Sequence, residues 1–239
     1  MHKSAMNVGG RFFSTYLSQM PNPLVMDIGA QDVRGSLKSV LPAHARYLGV
    51  DMVAGKGVDV VIDDPYKLPF DDASADVVVS SSCFEHAEFF WLSFLEIMRV
   101  LKPNGLVYLN VPSNGAFHRY PVDCWRFYPD SGRALANWAR KNQFDAVLLE
   151  SFVLDQCEPD RWNDFVCVIL RSEAHLSEHT QRMMDSLTHY ANGLCHPHYE
   201  QFRNLNGQPE EQRRFDALVA SSLRGRLSGL VERIRARVS

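Results

Sequence analysis

An α/β domain is the expectation for this sequence: a doubly wound, mostly parallel seven-stranded sheet with helices on both faces, plus a helical C-terminal extension. Three observations predict it. Short apolar runs alternate with amphipathic stretches from residue 24 to about residue 172, the pattern of strand–helix–strand units around a sheet buried on both faces. Several of the early runs end in polar residues, acids above all. The length, 239 residues, suits one well-buried domain plus an appendage, here 1–172 and 173–239.

The elements follow in order. "RFFSTYLSQ" (11–19) reads as a short helix with Phe12, Phe13, Tyr16 and Leu17 near one face, stopped by "PNP". "LVMDIG" (24–29) is a buried strand, and "GSLKSVL" begins a helix after a turn. "ARYLGVDM" (45–52) and "GVDVVIDD" (57–64) are the second and third strands. "ADVVVSSS" (75–82) is the fourth, introduced by the turn-forming "FDDAS". A strong helical pattern covers 85–101 until "KPNG" ends it, and "GLVYLNVP" (105–112) is the fifth strand. Residues 113–131 are polar and aromatic, with prolines and glycine that predict a loop. "GRALANWARKNQ" is a helix. "FDAVLLESFVL" and "DFVCVILRSE" are two more strands, an antiparallel pair closing the sheet. Beyond Ser172 the pattern is helical and polar. Its last segment sets Leu223, Leu227, Leu230, Ile234 and Val238 at spacings of three or four, an amphipathic stripe.

Composition excludes several classes. The chain is 46% hydrophobic and 22% charged with a net charge of −3, an ordinary globular balance that gives no electrostatic case for nucleic acid. No apolar run approaches the roughly 20 residues that span a bilayer, and "MHKSAMNVGGRFF" lacks the apolar core of a signal peptide. The five cysteines are scattered without a CxxC pair, against a disulfide framework or zinc finger. A reduced cytoplasmic location is the default. His175 and His179, and the group Cys195, His196 and His198, read as a solvated helix face and a turn, so no metal site is expected.

The chemistry gathers at the strand ends, where open α/β sheets bind ligands. Asp27 and Gly29 end the first strand, Asp51 the second, Asp63 and Asp64 the third, and Ser80 to Ser82 the fourth. A glycine lets backbone turn closely beneath a ligand. An acid about 20 residues beyond that turn accepts both hydroxyls of a ribose. An acid after the third strand can accept from the exocyclic amine of adenine. No phosphate cradle is present. A nucleoside without phosphates, with a charged tail near Asp27, fits this set.

These residues resemble those of the Rossmann-like S-adenosylmethionine (SAM)-dependent methyltransferases, in particular the type 11 group. "VMDIGAQDVRGSL" matches a variant of the first motif, D/E-x-G-x-G-x-G. "YLGVDM" matches the ribose-binding acid, and "DDPYKLPFDDASADVVVSSSCFEH" and "EIMRVLKPNGLVYLNVP" match two further family strings. The resemblance covers about residues 24–130 by motif and 10–172 by element order. It implies that Asp27, Gly29, Ala30 and Gln31 line the methionine part of SAM. It also implies that Asp51 binds the ribose, Met52 packs on adenine, Asp64 accepts from the adenine amine, and Ser81 and Ser82 add contacts. Gln31 departs from the family pattern by replacing the middle glycine. Pro65 departs by following Asp64 at a cofactor-lining position where a backbone N–H is usual.

The acceptor region is "AFHRYPVDCWRFYPDSG", which resembles a string, HxYPxDxWRF, of methyltransferases found among enzymes of bacterial surface-polysaccharide synthesis. Aromatic faces and carboxylates together suit a sugar. His118 is the candidate general base, with Asp123 as orienter or substitute, and His86, Tyr120, Trp125 and Arg126 are candidate substrate contacts, Trp125 and Arg126 reading equally as braces of the loop. The expected activity is O-methylation of a saccharide or glycosylated small molecule, with no nucleic-acid partner. Two alternatives stay open: a catalytically degenerate SAM-binding interaction module, and methylation of nitrogen or carbon in another small molecule. The last helix is expected to pack on the fold, form a homodimer or lie on a membrane surface.

Overall fold

A run of consecutive, mostly apolar and buried residues, "LVMDI", forms β1 (Leu24–Ile28), the centre of a parallel group. The computed structural model describes residues 2–155, 162–208, 212 and 215–223. β2 (Arg46–Asp51) and β4 (Ala75–Ser81) flank β1, β3 (Val60–Val61) lies outside β2, and β5 (Leu101–Pro112) continues beyond β4, all in parallel. β7 (Asp164–Leu170) pairs antiparallel with both β5 and β6 (Val147–Leu154), as the antiparallel closing pair requires.

Among the described residues the sheet has nine strands rather than seven, in the order β3-β2-β1-β4-β5-β7-β6-β8-β9. The two additional strands, β8 (Tyr190–Cys195) and β9 (His198–Arg203), come from the region expected to be helical. They form an antiparallel hairpin joined at His196 and Pro197, and β8 pairs with β6. Only two short 3-10 turns, Glu173–Glu178 and Met183–Asp185, precede them. The chain divides into two compact units, Met1–Leu205 and Asn206–Ser239. In that second unit residues 215–223 are helical, while Leu227, Leu230, Ile234 and Val238 of the apolar stripe lie outside the described residues.

Side chains alternate across the sheet and build two cores. Val78, Val107 and Leu109 pack under α2 (Phe90–Val100) and α3 (Ser131–Lys141), against Phe94, Ile97, Met98, Leu135 and Ala139. Val77, Val79, Leu106 and Tyr108 face the other way, onto Val8, Phe12 and Phe13 of α1 (Lys3–Tyr16) and onto Met183 and Met184. Helix α1 begins well before the expected residue 11; Gly9 and Gly10 lower the local helical propensity, but packing overrides it. At Gly9 a Cβ would lie 2.3 Å from Leu37, so the helix sits tightly on the segment after β1.

The expected helix after β1 is a single 3-10 turn, Leu37–Val40. Pro42 forces Leu41 into extended backbone (φ −69, ψ 136) and stops the turn from growing. The helix expected from residue 85 instead begins at Phe90, because Phe84–His86 forms a separate 3-10 turn. That turn sends Glu85 inward. Among the described residues no helix is long and apolar enough to cross a membrane.

Candidate active site

The parallel strands end on one side of the sheet, and the polar residues singled out in the sequence meet there. Gly29 turns the chain at φ +84 with its N–H donating to the Val50 carbonyl at 2.9 Å. A Cβ at this position would lie 2.7 Å from Sγ of Cys83, so the turn after β1 and the segment after β4 touch through the missing side chain. Ala30 is buried and its N–H also donates to Val50.

Asp51 is held by two backbone donors. The Gln31 N–H reaches Oδ2 at 3.0 Å and the Val53 N–H reaches Oδ1 at 3.1 Å. Both oxygens keep a lone pair, so the carboxylate is oriented but still able to accept. Beside it Met52 and Val53 are 53% and 56% exposed, an apolar surface at the mouth of β2.

Asp27 is only 2% exposed and accepts from the Tyr47 hydroxyl at 2.8 Å. Burial pushes its carboxyl up to about 7, against the lowering effect of the Tyr47 hydrogen bond. Asp64 is exposed and closes its own turn, with Oδ1 accepting from the Tyr66 N–H at 2.8 Å across Pro65. At the ends of β4 and β5, Ser81 Oγ, Asn110 Oδ1, Ser113 Oγ and Glu85 Oε2 are buried with no hydrogen-bond partner among the described residues. Ser81 and Asn110 are register neighbours, and Ser82 adopts φ +52 with its N–H on the Asn110 carbonyl. Unpartnered buried polar atoms are costly. Two of these atoms, on Ser81 and Asn110, sit on paired residues at the ends of β4 and β5.

The side chain of Gln31, which replaces the expected glycine, is turned onto Tyr120, whose hydroxyl donates to Gln31 Oε1. This bond bridges to the loop after β5. His86 comes close to it: Nδ1 donates to the Val122 carbonyl at 2.5 Å, and its ring lies edge-on to those of His118 (centroids 4.9 Å apart) and Tyr120 (6.3 Å). Burial lowers the His86 pKa.

Asp123 does not grip the His118 ring. Its Oδ2 lies 3.5 Å from Nδ1, beyond good hydrogen-bond length, while accepting from the His118 backbone N–H at 2.7 Å. Arg126 clamps both carboxylate oxygens at 2.6 and 2.9 Å and also donates to the carbonyls of Trp125 and Ala116. The guanidinium holds Asp123 well below the usual carboxylate range. Trp125 donates from its indole to the Ala87 carbonyl at 3.0 Å and packs on Phe90 and Trp91. Asp123, Trp125 and Arg126 thus brace the loop, leaving Phe117, Tyr120 and Tyr128 exposed along it.

Glu85 was not among the sequence candidates. It is 1% exposed, and burial raises its carboxyl to about 8. Its own backbone carbonyl accepts from the N–H groups of Cys124 and Trp125, so it fastens the same loop. Only the irregular turn Phe84–His86, invisible in a helical pattern, turns it inward. The histidines weighed earlier as ligands have other neighbours: His175 bonds Glu178 at 2.7 Å and His196 stacks edge-on against Tyr199. A separate cleft of about 420 Å³, lined by residues including Thr15, Tyr16, Asn104 and His179, lies by the opposite end of β5.

Comparison with known proteins places this geometry. The family described as "Methyltransferase domain" matches residues 27–109. No curated protein matches the chain. Among solved structures, the chain is similar to the Burkholderia thailandensis 1,6-didemethyltoxoflavin-N1-methyltransferase, solved with 1,6-didemethyltoxoflavin and S-adenosylhomocysteine (17% identity, 72% of this chain and 80% of that one, TM-score 0.56). It is also similar to the YcgJ protein of Bacillus subtilis (13%, 72% and 100%, TM-score 0.52) and to the [4+2]-cyclase SpnF (12%, 70% and 81%, TM-score 0.51). At these identities the likeness is one of fold.

Proposed function

We propose, from the methyltransferase domain over residues 27–109, that this chain is a SAM-dependent methyltransferase whose acceptor atom is a hydroxyl oxygen of a saccharide or a glycosylated small molecule. The observation that carries the reading is Asp51, fixed by the Gln31 and Val53 N–H groups beside the Gly29 turn, with lone pairs left for a ribose. When bound, SAM supplies a methyl already activated on a sulfonium, so the protein's task is alignment and proton handling.

Asp27 is the anionic complement for the charged methionine end, beside Gly29, Ala30 and the backbone of Gln31. Met52 and Val53 offer an apolar surface for adenine. Asp64 keeps one oxygen for its amine, with Pro65 fixing the turn. The unpartnered Ser81 hydroxyl and the left-handed backbone at Ser82 border the same space.

The acceptor side is the braced loop. Exposed aromatic faces at Phe117, Tyr120 and Tyr128, with the half-open Trp125, support a sugar ring. His118 is placed to take the hydroxyl proton, since its Nδ1 faces the Ala116 carbonyl at 3.2 Å and leaves Nε2 available. His86 lines the same pocket. Asp123 and Arg126 are positioning residues for this loop.

Calorimetric titration of the ligand-free protein with SAM and with S-adenosylhomocysteine tests the cofactor half. Micromolar binding of both is expected; absence of both leaves the degenerate interaction module as the better reading. Screening nucleotide sugars and glycans by mass spectrometry for a gain of one CH₂ tests the acceptor half, and methylation confined to nitrogen or carbon acceptors would overturn it. His118→Ala is expected to spare SAM affinity while lowering turnover by about 10²-fold.

A further inference from the structure

We infer that Glu85, His86 and His118 form a binding site for a divalent first-row metal ion at the acceptor end of the pocket. One donor atom from each residue lies within 4.8 Å of the other two. This is a two-histidine, one-carboxylate set, a donor combination that holds zinc, iron or manganese while leaving coordination positions open.

Two independent features point to an ion rather than to chance proximity. Glu85 Oε2 is buried with no partner among the described residues, and Oε1 stands 3.7 Å from His86 Nε2, too far for a hydrogen bond. Two atoms bound to one ion at about 2.1 Å each sit roughly 3–3.5 Å apart, so a shift of a few tenths of an ångström would bring this pair onto one metal. His86 also donates Nδ1–H to the Val122 carbonyl at 2.5 Å, which fixes the tautomer and turns the Nε2 lone pair toward Glu85. An outer hydrogen bond of this kind is the usual support of a metal-bound histidine. His118, with its side chain 38% exposed against 11% for His86 and 1% for Glu85, forms the mouth through which an ion enters.

The use of the ion rests on the proposed O-methylation. Bound by three side chains, it would coordinate an acceptor hydroxyl and acidify it, the proton passing to solvent. The ion then does what the histidine alone would otherwise do, with His118 as ligand. Tyr120, which contacts His86 and hydrogen-bonds Gln31, links this corner to the cofactor turn.

The experiment is equilibrium titration of chelator-treated full-length protein with Mn²⁺ and with Co²⁺, the latter followed by its visible absorption. One equivalent is expected, with nitrogen-ligand bands for Co²⁺ and affinity at least about tenfold weaker in both His118→Ala and Glu85→Gln. SAM titration of the same variants reports folding: unchanged affinity with lost metal binding supports the site. No saturable binding by the wild-type protein, or equal binding by both variants, overturns it. Failure of the methyltransferase reading would appear separately, as absent SAM binding with the metal titration intact.

Discussion

The hydroxyl of Tyr120 donates to Oε1 of Gln31, joining the loop after β5 to the turn after β1 across 89 residues of sequence. The side chain that stands where a glycine is usual is therefore a crosslink between the turn after β1 and the loop after β5. Tyr120→Phe hands the exposed Gln31 Oε1 to water and removes the tie between turn and loop, a net loss of about 1 kcal/mol, so SAM affinity is expected to fall about fivefold. Titration of the variant checks this; wild-type affinity would mean that the crosslink does not order the turn.

Asp51→Ala removes the acceptor for the Gln31 and Val53 N–H groups and, on the proposed function, both ribose contacts. Charged hydrogen bonds are worth about 1.5–3 kcal/mol each, so binding should weaken by about 100-fold or more. Retained affinity in calorimetry would sink the cofactor assignment.

Asp27 sets a pH dependence. Its folded pKa of about 7 lies above the roughly 3.9 of an unfolded aspartate, so the folded state keeps a proton that the unfolded chain loses as pH rises. The resulting stability is fully present below about pH 4 and is lost as pH rises through 7. A cationic ligand favours the ionised form, so SAM affinity should increase about tenfold between about pH 6 and 8. Asp27→Asn should flatten both profiles in thermal melts and titrations.

Gly29→Ala combines a positive φ of 84 with a contact 2.7 Å from Cys83 Sγ. A loss of about 2 kcal/mol corresponds to a melting temperature lower by roughly 6 °C. At Gly207 no atom lies within 4 Å of an added Cβ, so Gly207→Ala should leave the melt unchanged. Equal melts for the two variants would remove the steric argument.

Arg126→Lys keeps the charge but not the two-pronged grip on Asp123. The loop from 113 to 130 should then be cut faster in limited proteolysis, with SAM affinity unchanged. Wild-type cleavage kinetics would show that the loop is braced elsewhere.

The parallel half of the sheet was legible because each strand is an apolar run with an acid, glycine or serine at its end: Asp27, Gly29, Asp51 and Ser81 all lie where that pattern put them. The hairpin β8–β9 was not. Asn192 and Gly193 interrupt its first strand, and Tyr199 and Phe202 stand three apart in its second, a spacing that mimics a helix. Tertiary pairing with β6 decides the matter. For Trp125 and Arg126 the sequence left bracing and ligand contact equally open, and the carbonyls of Trp125, Ala116 and Ala87 that they reach favour bracing; the part of Asp123 as the anchor gripped by Arg126 was not legible, since residue type alone does not tell a side chain that grips its loop from one that meets a ligand. Glu85 was hidden for a different reason: it sits in the 3-10 turn Phe84–His86, where the sequence reads as the first turn of a longer helix.

The hairpin also decides how the sheet ends. One border is β3, only Val60–Val61, too short to template a further strand. The other is β9, where exposed His198, Glu200, Gln201 and Arg203 crowd the rim with polar and charged side chains. Without β8 and β9, the long and mostly apolar β6 would be that rim, with its backbone amides and carbonyls open to any passing strand. The late hairpin is in this sense a guard against aggregation, and its removal should cost solubility before it costs chemistry.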